Sequence, residues 1–372
     1  MSEASFFESI QQQFSEQLPF VVYRKPQDNV VKAYLQSDDT LYETKDFSES
    51  GFVFSPFNLE DNSSVLIPLE HAKVLTLEVE AAAFEASTED SSVAITESNA
   101  AHIDLIEKGI EAIHQEQFKK VVLSRCAEAP IPETNPLELF KRLLTKYQDA
   151  FVYCWFHPRV GLWLGATPET LMKVEGLRLQ TMALAGTQAY KGTMDVEWNL
   201  KEQEEQQIVT DFIVDKLKSN SNLRMSEPKT VKAGSLLHLR TDITASYRPG
   251  DFNLYDVIKA LHPTPAVSGL PKNAAIQFIK EHEGYDRDYY TGFLGELNLK
   301  ASQSRNANRR NVENNAYRAV KKVSNMFVNL RCMQLKDDKA LIYVGGGITK
   351  DSIPQNEWEE TVRKAETMTA VL

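Results

Sequence analysis

Lys119–Arg125 reads KKVVLSR, two cations followed by an apolar run and a polar close. The valine-rich run predicts a strand over Lys120–Ser124. Side chains alternate across a strand, so one of the two lysines points inward while the other is solvated. A lysine among apolar walls loses proton affinity and becomes a general base near neutral pH. An edge strand carrying two solvated lysines is the plain alternative.

Upstream, Ile103, Ile106, Ile110 and Ile113 recur at helical spacing within Ser98–Gln117, which predicts an amphipathic helix leading straight into that strand. Downstream, a helix begins near Pro136, followed by strands at Phe151–Phe156, Gly161–Leu164 and Leu177–Leu184. Trp198–Leu217 reads as a helix with Ile208, Phe212 and Leu217 on one face, and Leu236–Tyr247 as extended. The closing third has helices at Leu254–Leu261, Asn273–Glu281 and Pro354–Met368, with strands at Gly292–Leu299, Met326–Leu335 and Ala340–Val344. Adjacent strand pairs between helices predict an α+β fold with large, mainly antiparallel sheets. The first hundred residues read as short strands, Phe20–Tyr23, Val30–Leu35 and Gly51–Phe54, ending in an acidic, solvated connection over Glu78–Glu97.

At 372 residues the chain allows one or two domains, and one large domain is the preferred reading. Its 42% hydrophobic and 25% charged residues provide for a sizeable core. A net charge of -11 argues against a broad grip on nucleic acid or an anionic membrane, so an anionic substrate would need local cations. Cys126, Cys154 and Cys332 are far apart in apolar stretches and read as reduced core thiols. The N-terminus MSEASFFESI has no basic region followed by an apolar run, and no stretch approaches the roughly 20 apolar residues of a membrane span. A cytoplasmic protein is expected.

In GATPET, Thr167 is placed to cap a helix opening at Pro168, with Glu169 in the first turn, where the helix dipole alone would favour an acid. Ala183–Thr187, ALAGT, reads as a strand ending in a glycine turn, either a plain turn or a place where backbone NH groups meet an anion. Glu202–Gln206 gives five carboxylate or amide side chains in a row, and Glu357 and Glu360 lie one turn apart. Carboxylates converging from separate helices make a hard oxygen site for Mg2+; taken singly, such helices are merely solvated. His262–Lys272, HPTPAVSGLPK, is a rigid loop in which His262 is either catalytic or a hydrogen-bonded structural residue. Arg331, in the apolar run FVNLRC, needs an anionic partner if buried. Gly345–Gly347 allows close backbone approach to a ligand, but the dinucleotide and P-loop patterns are absent. Ala301–Ser324 is polar and basic, a hairpin excursion whose plain reading is a solvated insertion and whose other reading is a partner contact.

In order, KVVLSR, GATPE, ALAGT, the Glu-rich helix, HPTPAVSGLPK, YTGFLGEL, VNLRC, VGGGI and EWEETVRKAETM resemble the chorismate-utilising family of isochorismate, salicylate, anthranilate and aminodeoxychorismate synthases. The resemblance covers roughly residues 101–372, with 1–100 resembling only the family's variable N-terminal strands and 301–324 standing as a basic insertion. It implies one domain of layered sheets.

The resemblance further implies Lys120 as the base that activates water and Glu169 as the acid that protonates the departing C4 hydroxyl of chorismate. Glu205 and Glu360 match magnesium ligands, with Glu357 beside them. Arg331, Gly346, Gly347 and Lys364 match groups around the pyruvyl carboxylate; Ala185, Gly186 and Thr187 line the ring site, and His262 is carried as a further substrate contact. Lysine at 120, where ammonia-using members carry glutamine, points to water as nucleophile, hence to an isochorismate synthase with no amidotransferase subunit. Menaquinone and catecholate siderophore synthesis both use that product. A salicylate synthase and a silent chorismate-binding scaffold are the alternatives. Gln203 and Gln206 stand where relatives carry a basic residue and a histidine. A monomer is expected.

Overall fold

The pairing around Lys120–Pro130 sets the architecture. This strand runs antiparallel to Lys339–Ile348, with Val122 opposite Gly347 and Leu123 opposite Gly346, and on its other edge to Gly269–Leu270. The computed structural model describes residues 1–60, 62–79, 99–131, 135–219, 221–234, 236–302 and 320–372. Among these residues the strands form two antiparallel sheets. The first has nine strands, in the order Gly269–Leu270, Lys120–Pro130, Lys339–Ile348, Cys332–Lys336, Gly161–Thr167, Phe151–His157, Phe20–Arg24, Val30–Gln36 and Ala72–Glu78. The second has ten: Ser221–Met225, Leu236–Tyr247, Arg178–Ala189, Thr170–Glu175, Val320–Val328, Phe293–Ser302, Gly51–Ser55, Ser64–Pro68 and Tyr42–Thr44, with Lys229–Ala233 also on Leu236–Tyr247.

The sheets bury an aromatic layer between them, with Tyr23, Tyr153, Trp155 and Trp163 of the first meeting Phe52, Phe54 and Phe327 of the second. The Phe151 and Phe327 rings stack with centroids 4.2 Å apart and planes 16° from parallel. Helices Glu3–Ser15, Pro136–Lys146 and Pro354–Thr369 cover the outer face of the first sheet through Phe6, Ile10, Phe140, Leu143 and Met368. Helices Leu200–Leu217 and Leu254–Leu261 cover the second through Val209, Phe212, Ile213 and Ile258. Helices Ala100–His114 and Lys272–His282 pack on the Lys120 strand through Ile106, Ile113 and Phe278. The first eighty residues contribute strands to both sheets, so the chain is one α+β domain. No helix among the described residues is long and apolar enough to cross a membrane.

Three local expectations are corrected. Met326–Leu335 is two strands: Val320–Val328 belongs to the second sheet and Cys332–Lys336 to the first. The chain must cross between sheets within Asn329–Arg331, and Arg331 turns it with φ 47°. GATPET holds no helix, because the chain passes from strand Gly161–Thr167 of the first sheet into strand Thr170–Glu175 of the second, which is paired on both edges. The Thr167 hydroxyl still accepts from Glu169 N, at 3.3 Å, but the bond closes a corner rather than capping a helix. The strand through ALAGT runs on to Ala189, with Gly186 at φ 73° in a bulge between Ala185 and Gln188. The Glu78–Glu97 connection and the 301–324 insertion fall mostly outside the described residues; at the insertion's base, Ser302 pairs with Val320.

Candidate active site

The two crossings between sheets lie side by side, with Val328 N donating to Glu169 O and Ala166 N to Arg331 O, each at 3.0 Å. A cavity opens at this corner, its wall including Glu169, Ala185, Gly186, Thr187, Glu205, His238, Arg331, Gly345, Gly346, Gly347 and Lys364. Register explains the convergence: the glycine strand lies beside KVVLS, and Gly269 of the proline-rich loop approaches so closely that a Cβ would sit 2.2 Å from Lys120 O.

Lys120 is fully buried and Lys119 exposed, as strand alternation requires. The Lys120 ammonium lies 2.9 Å from Glu205 Oε1, and no described group accepts a well-aligned hydrogen bond from it. Glu205 forms the cavity wall and Lys120 stands directly behind it. A Cβ on Gly347 would lie 2.2 Å from Glu205 Oε1 and 3.0 Å from Lys120 Cε, so a bare glycine is what admits the pair. The apolar enclosure expected for Lys120 is therefore broken by one carboxylate.

Glu169 is buried at the corner, and its carboxyl is pushed up to about 8. Burial raises it, against the opposing pull of Lys120 and Lys364. It therefore holds a proton at neutral pH.

Over Gly346, a Cβ would lie 3.6 Å from Glu360 Oε1 and 3.9 Å from Glu357 Oε2. Two adjacent glycines thus receive Glu205 from one helix and Glu357 and Glu360 from another. Each carboxylate meets its own ammonium: Glu205 meets Lys120, Glu357 meets Lys201, and Glu360 meets Lys364 at 2.6 Å. Lys364 also donates to Gly345 O at 2.8 Å. With the oxygens so turned, no three His, Cys, Asp or Glu side chains among the described residues form a metal cluster. The donor set is nevertheless all carboxylate oxygen facing one strip of bare backbone, the chemistry that suits Mg2+. Burial, with Glu360 adding to it, holds the Glu357 carboxyl above its ordinary range despite Lys201. Burial pushes Glu360 the same way, but Lys364, Lys201 and Arg331 together hold it below.

Arg331 donates to Thr367 Oγ1 at 3.2 Å and approaches His238 Nε2 at 3.5 Å; no carboxylate among the described residues forms an ion pair with it. His238 Nδ1 donates to Gly186 O at 2.9 Å, which leaves Nε2 as the acceptor facing the guanidinium. Burial first, then Arg331 and Lys364, lowers His238 to about 3, so the ring is neutral. A largely buried guanidinium whose hydrogen bonds go only to neutral groups, with Glu360 acting on it without an ion pair, is ready for an anion.

Residues 59–303 match a family model described as chorismate binding enzyme, and residues 317–370 match a second model of the same description. The chain belongs to the chorismate-binding enzyme family. The salicylate biosynthesis isochorismate synthase of Pseudomonas aeruginosa is 28% identical over 277 residues, 72% of this chain and 53% of that protein. Isochorismate synthase MenF of Escherichia coli is 30% identical over 276 residues, 70% of this chain and 57% of that protein. These matches span about half the length of the curated relatives. The solved structure of the menaquinone-specific isochorismate synthase MenF from Escherichia coli shares the fold with a TM-score of 0.73 at 21% identity, over 95% of this chain and 88% of that one.

In this chorismate-binding enzyme, all eleven substrate, acid and metal candidates other than Lys120 and His262 line the cavity or face its glycine strip. His262 does not: its Nε2 donates to Pro56 O and Phe57 O at 3.2 and 3.0 Å, and burial lowers it to about 3. The ring anchors the proline-rich loop. Gln206 replaces an expected histidine without loss of order, since its amide donates to Thr210 Oγ1 and Thr241 Oγ1 at 2.9 and 2.7 Å, tying the Glu205 helix to the sheet. Gln203 bonds Trp198 O at the surface. Sequence reasoning missed His238 and Lys201. His238 sits in LLHLR, which only strand pairing brings beside ALAGT; Lys201 lies four residues before Glu205, and helical spacing signals it.

Proposed function

We propose that this chorismate-binding enzyme is an isochorismate synthase, interconverting chorismate and isochorismate with Mg2+. The carrying observation is a complementary pair: a buried acid in the cavity wall, Glu169, that keeps its proton at neutral pH, and a buried amine, Lys120, that stands behind Glu205 of the same wall without a well-aligned acceptor. In its neutral amine form, with the ammonium proton given up to solvent, Lys120 takes a proton from the water that forms a bond to C2. The ring double bonds shift, the C4–oxygen bond breaks, and the Glu169 proton goes to the leaving hydroxyl. For this, Glu205 must release Lys120. Arg331, Lys364 and the backbone of Gly346 and Gly347 hold the pyruvyl carboxylate, while Ala185, Gly186 and Thr187 bound the ring. Glu205, Glu360 and Glu357 would hold Mg2+, whose charge neutralises the ring carboxylate. Water as nucleophile calls for no amidotransferase. The product would serve menaquinone or catecholate siderophore synthesis.

The test is to incubate the pure protein with chorismate and Mg2+ and resolve the products by chromatography. Isochorismate is expected. Salicylate with pyruvate would move the assignment to a salicylate synthase, and metal-independent silence to a chorismate-binding scaffold.

A further inference from the structure

Three ammonium groups neutralise the three carboxylates over the glycine strip, but they are not equally held. Lys120 is sealed in the core, and Lys364 is fastened to Gly345 O as well as to Glu360. Lys201 has the most exposed side chain of the three, at 22% against 15% for Lys364 and none for Lys120, while its partner Glu357 is at 4%. It opens the helix that carries Glu205 and crosses to a carboxylate on the other helix. All three carboxylates act on it electrostatically, Glu357 most, then Glu205 and Glu360.

We propose that Lys201 is the resident counter-ion of the magnesium site, seated among its carboxylates in the metal-free enzyme and displaced toward solvent when the metal binds. This rests on the metal assignment made under the proposed function. An ammonium and a divalent cation compete for the same oxygens, so every metal-binding event must break the Lys201–Glu357 pair. Without Lys201 the carboxylates repel one another, which weakens the metal-free fold and strengthens the pull on a cation. The lysine thus sets metal affinity from inside the site, and it is a positioning residue rather than one that touches reacting atoms.

The experiment is calorimetric titration of Mg2+ alone into wild type, Lys201→Met and Lys201→Gln, with metal-free and metal-saturated Tm for each. Mg2+ should bind both variants roughly tenfold more tightly. Their metal-free Tm should fall, and the gain in Tm on saturation should exceed that of wild type. A variant unfolded without metal but folded by Mg2+ gives the same support, and one that Mg2+ does not restore counts against. Equal or weaker affinity in both variants overturns the role of Lys201 while leaving the metal site intact. Loss of binding in Glu360→Gln certifies that site. Absence of binding in wild type and both variants overturns the metal assignment itself.

Discussion

Glu205 Oε1 occupies the space that a side chain at Gly347 would need, since a Cβ there would lie 2.2 Å away. The same oxygen lies 2.9 Å from the buried Lys120 ammonium. Strand register puts Gly347 opposite Val122, so the glycine, the base candidate and the metal-ligand candidate are fixed by one pair of strands. Gly347→Ala should push aside two flexible side chains without unfolding the sheet. Turnover should fall about a hundredfold, the usual cost of a small misplacement at reacting groups, while Tm stays within a few degrees. Steady-state kinetics beside a melting curve checks it, and near wild-type rates would detach the glycine from the site.

Lys120→Ala and Glu169→Gln remove the two proton-transfer groups separately. Each should cost roughly 10²- to 10⁴-fold in kcat or more, with chorismate still binding, because Arg331 and the glycine backbone are untouched. Binding is read by fluorescence or calorimetry. A variant that keeps its rate removes that residue from the mechanism.

The raised Glu169 carboxyl fixes the sign of two pH effects. As the acid, Glu169 works protonated, so activity should decline as pH rises through about 8. Stability follows the same direction. The folded state holds this proton up to about 8 while the unfolded chain loses it near the ordinary 4.5, so the folded state loses ground between those values as pH rises. Glu169→Gln, neutral throughout, should therefore melt higher than wild type at pH 8 and no higher at pH 4. Parallel melts at the two values test it, and an unchanged difference would mean the carboxyl is already ionised.

Much of this was legible in the sequence where periodicity is strong: Leu236–Tyr247 and Leu254–Leu261 have the expected limits, and Lys120 faces inward. The corners were not. Thr167–Thr170 and Val328–Cys332 carry ordinary helix-cap and strand signals, and only the decision of two strands to change sheets makes them turns. Glu169 and Arg331 sit at those corners, so their placement depends on long-range pairing that local spacing does not encode. The helix Glu3–Ser15 was readable, with Phe6, Ile10 and Phe14 four apart, but was overlooked. His262 misled because a histidine in a rigid loop serves equally to anchor it.

Away from the site, Glu296 ties the two sheets together. Its carboxylate accepts from Tyr23 OH at 2.6 Å, Lys32 Nζ at 2.9 Å, Asn325 Nδ2 at 3.0 Å and Lys25 Nζ at 3.2 Å. Burial alone would raise it, but Lys25, Lys32 and the hydrogen bonds lower it to about 2. A depressed folded value means that the stabilisation is complete above the ordinary 4.5 and is lost as pH falls through about 2. Glu296→Gln should destabilise the enzyme by about 3 kcal/mol at neutral pH, the scale for breaking a buried ion pair on one side. The deficit should shrink as pH drops toward 2, where wild type loses the same charge. Urea denaturation of both proteins at pH 7 and pH 3 measures it, and a deficit independent of pH would mean that packing, not charge, joins the sheets here. Since Glu296 is not in the cavity wall, activity per folded molecule should be unchanged.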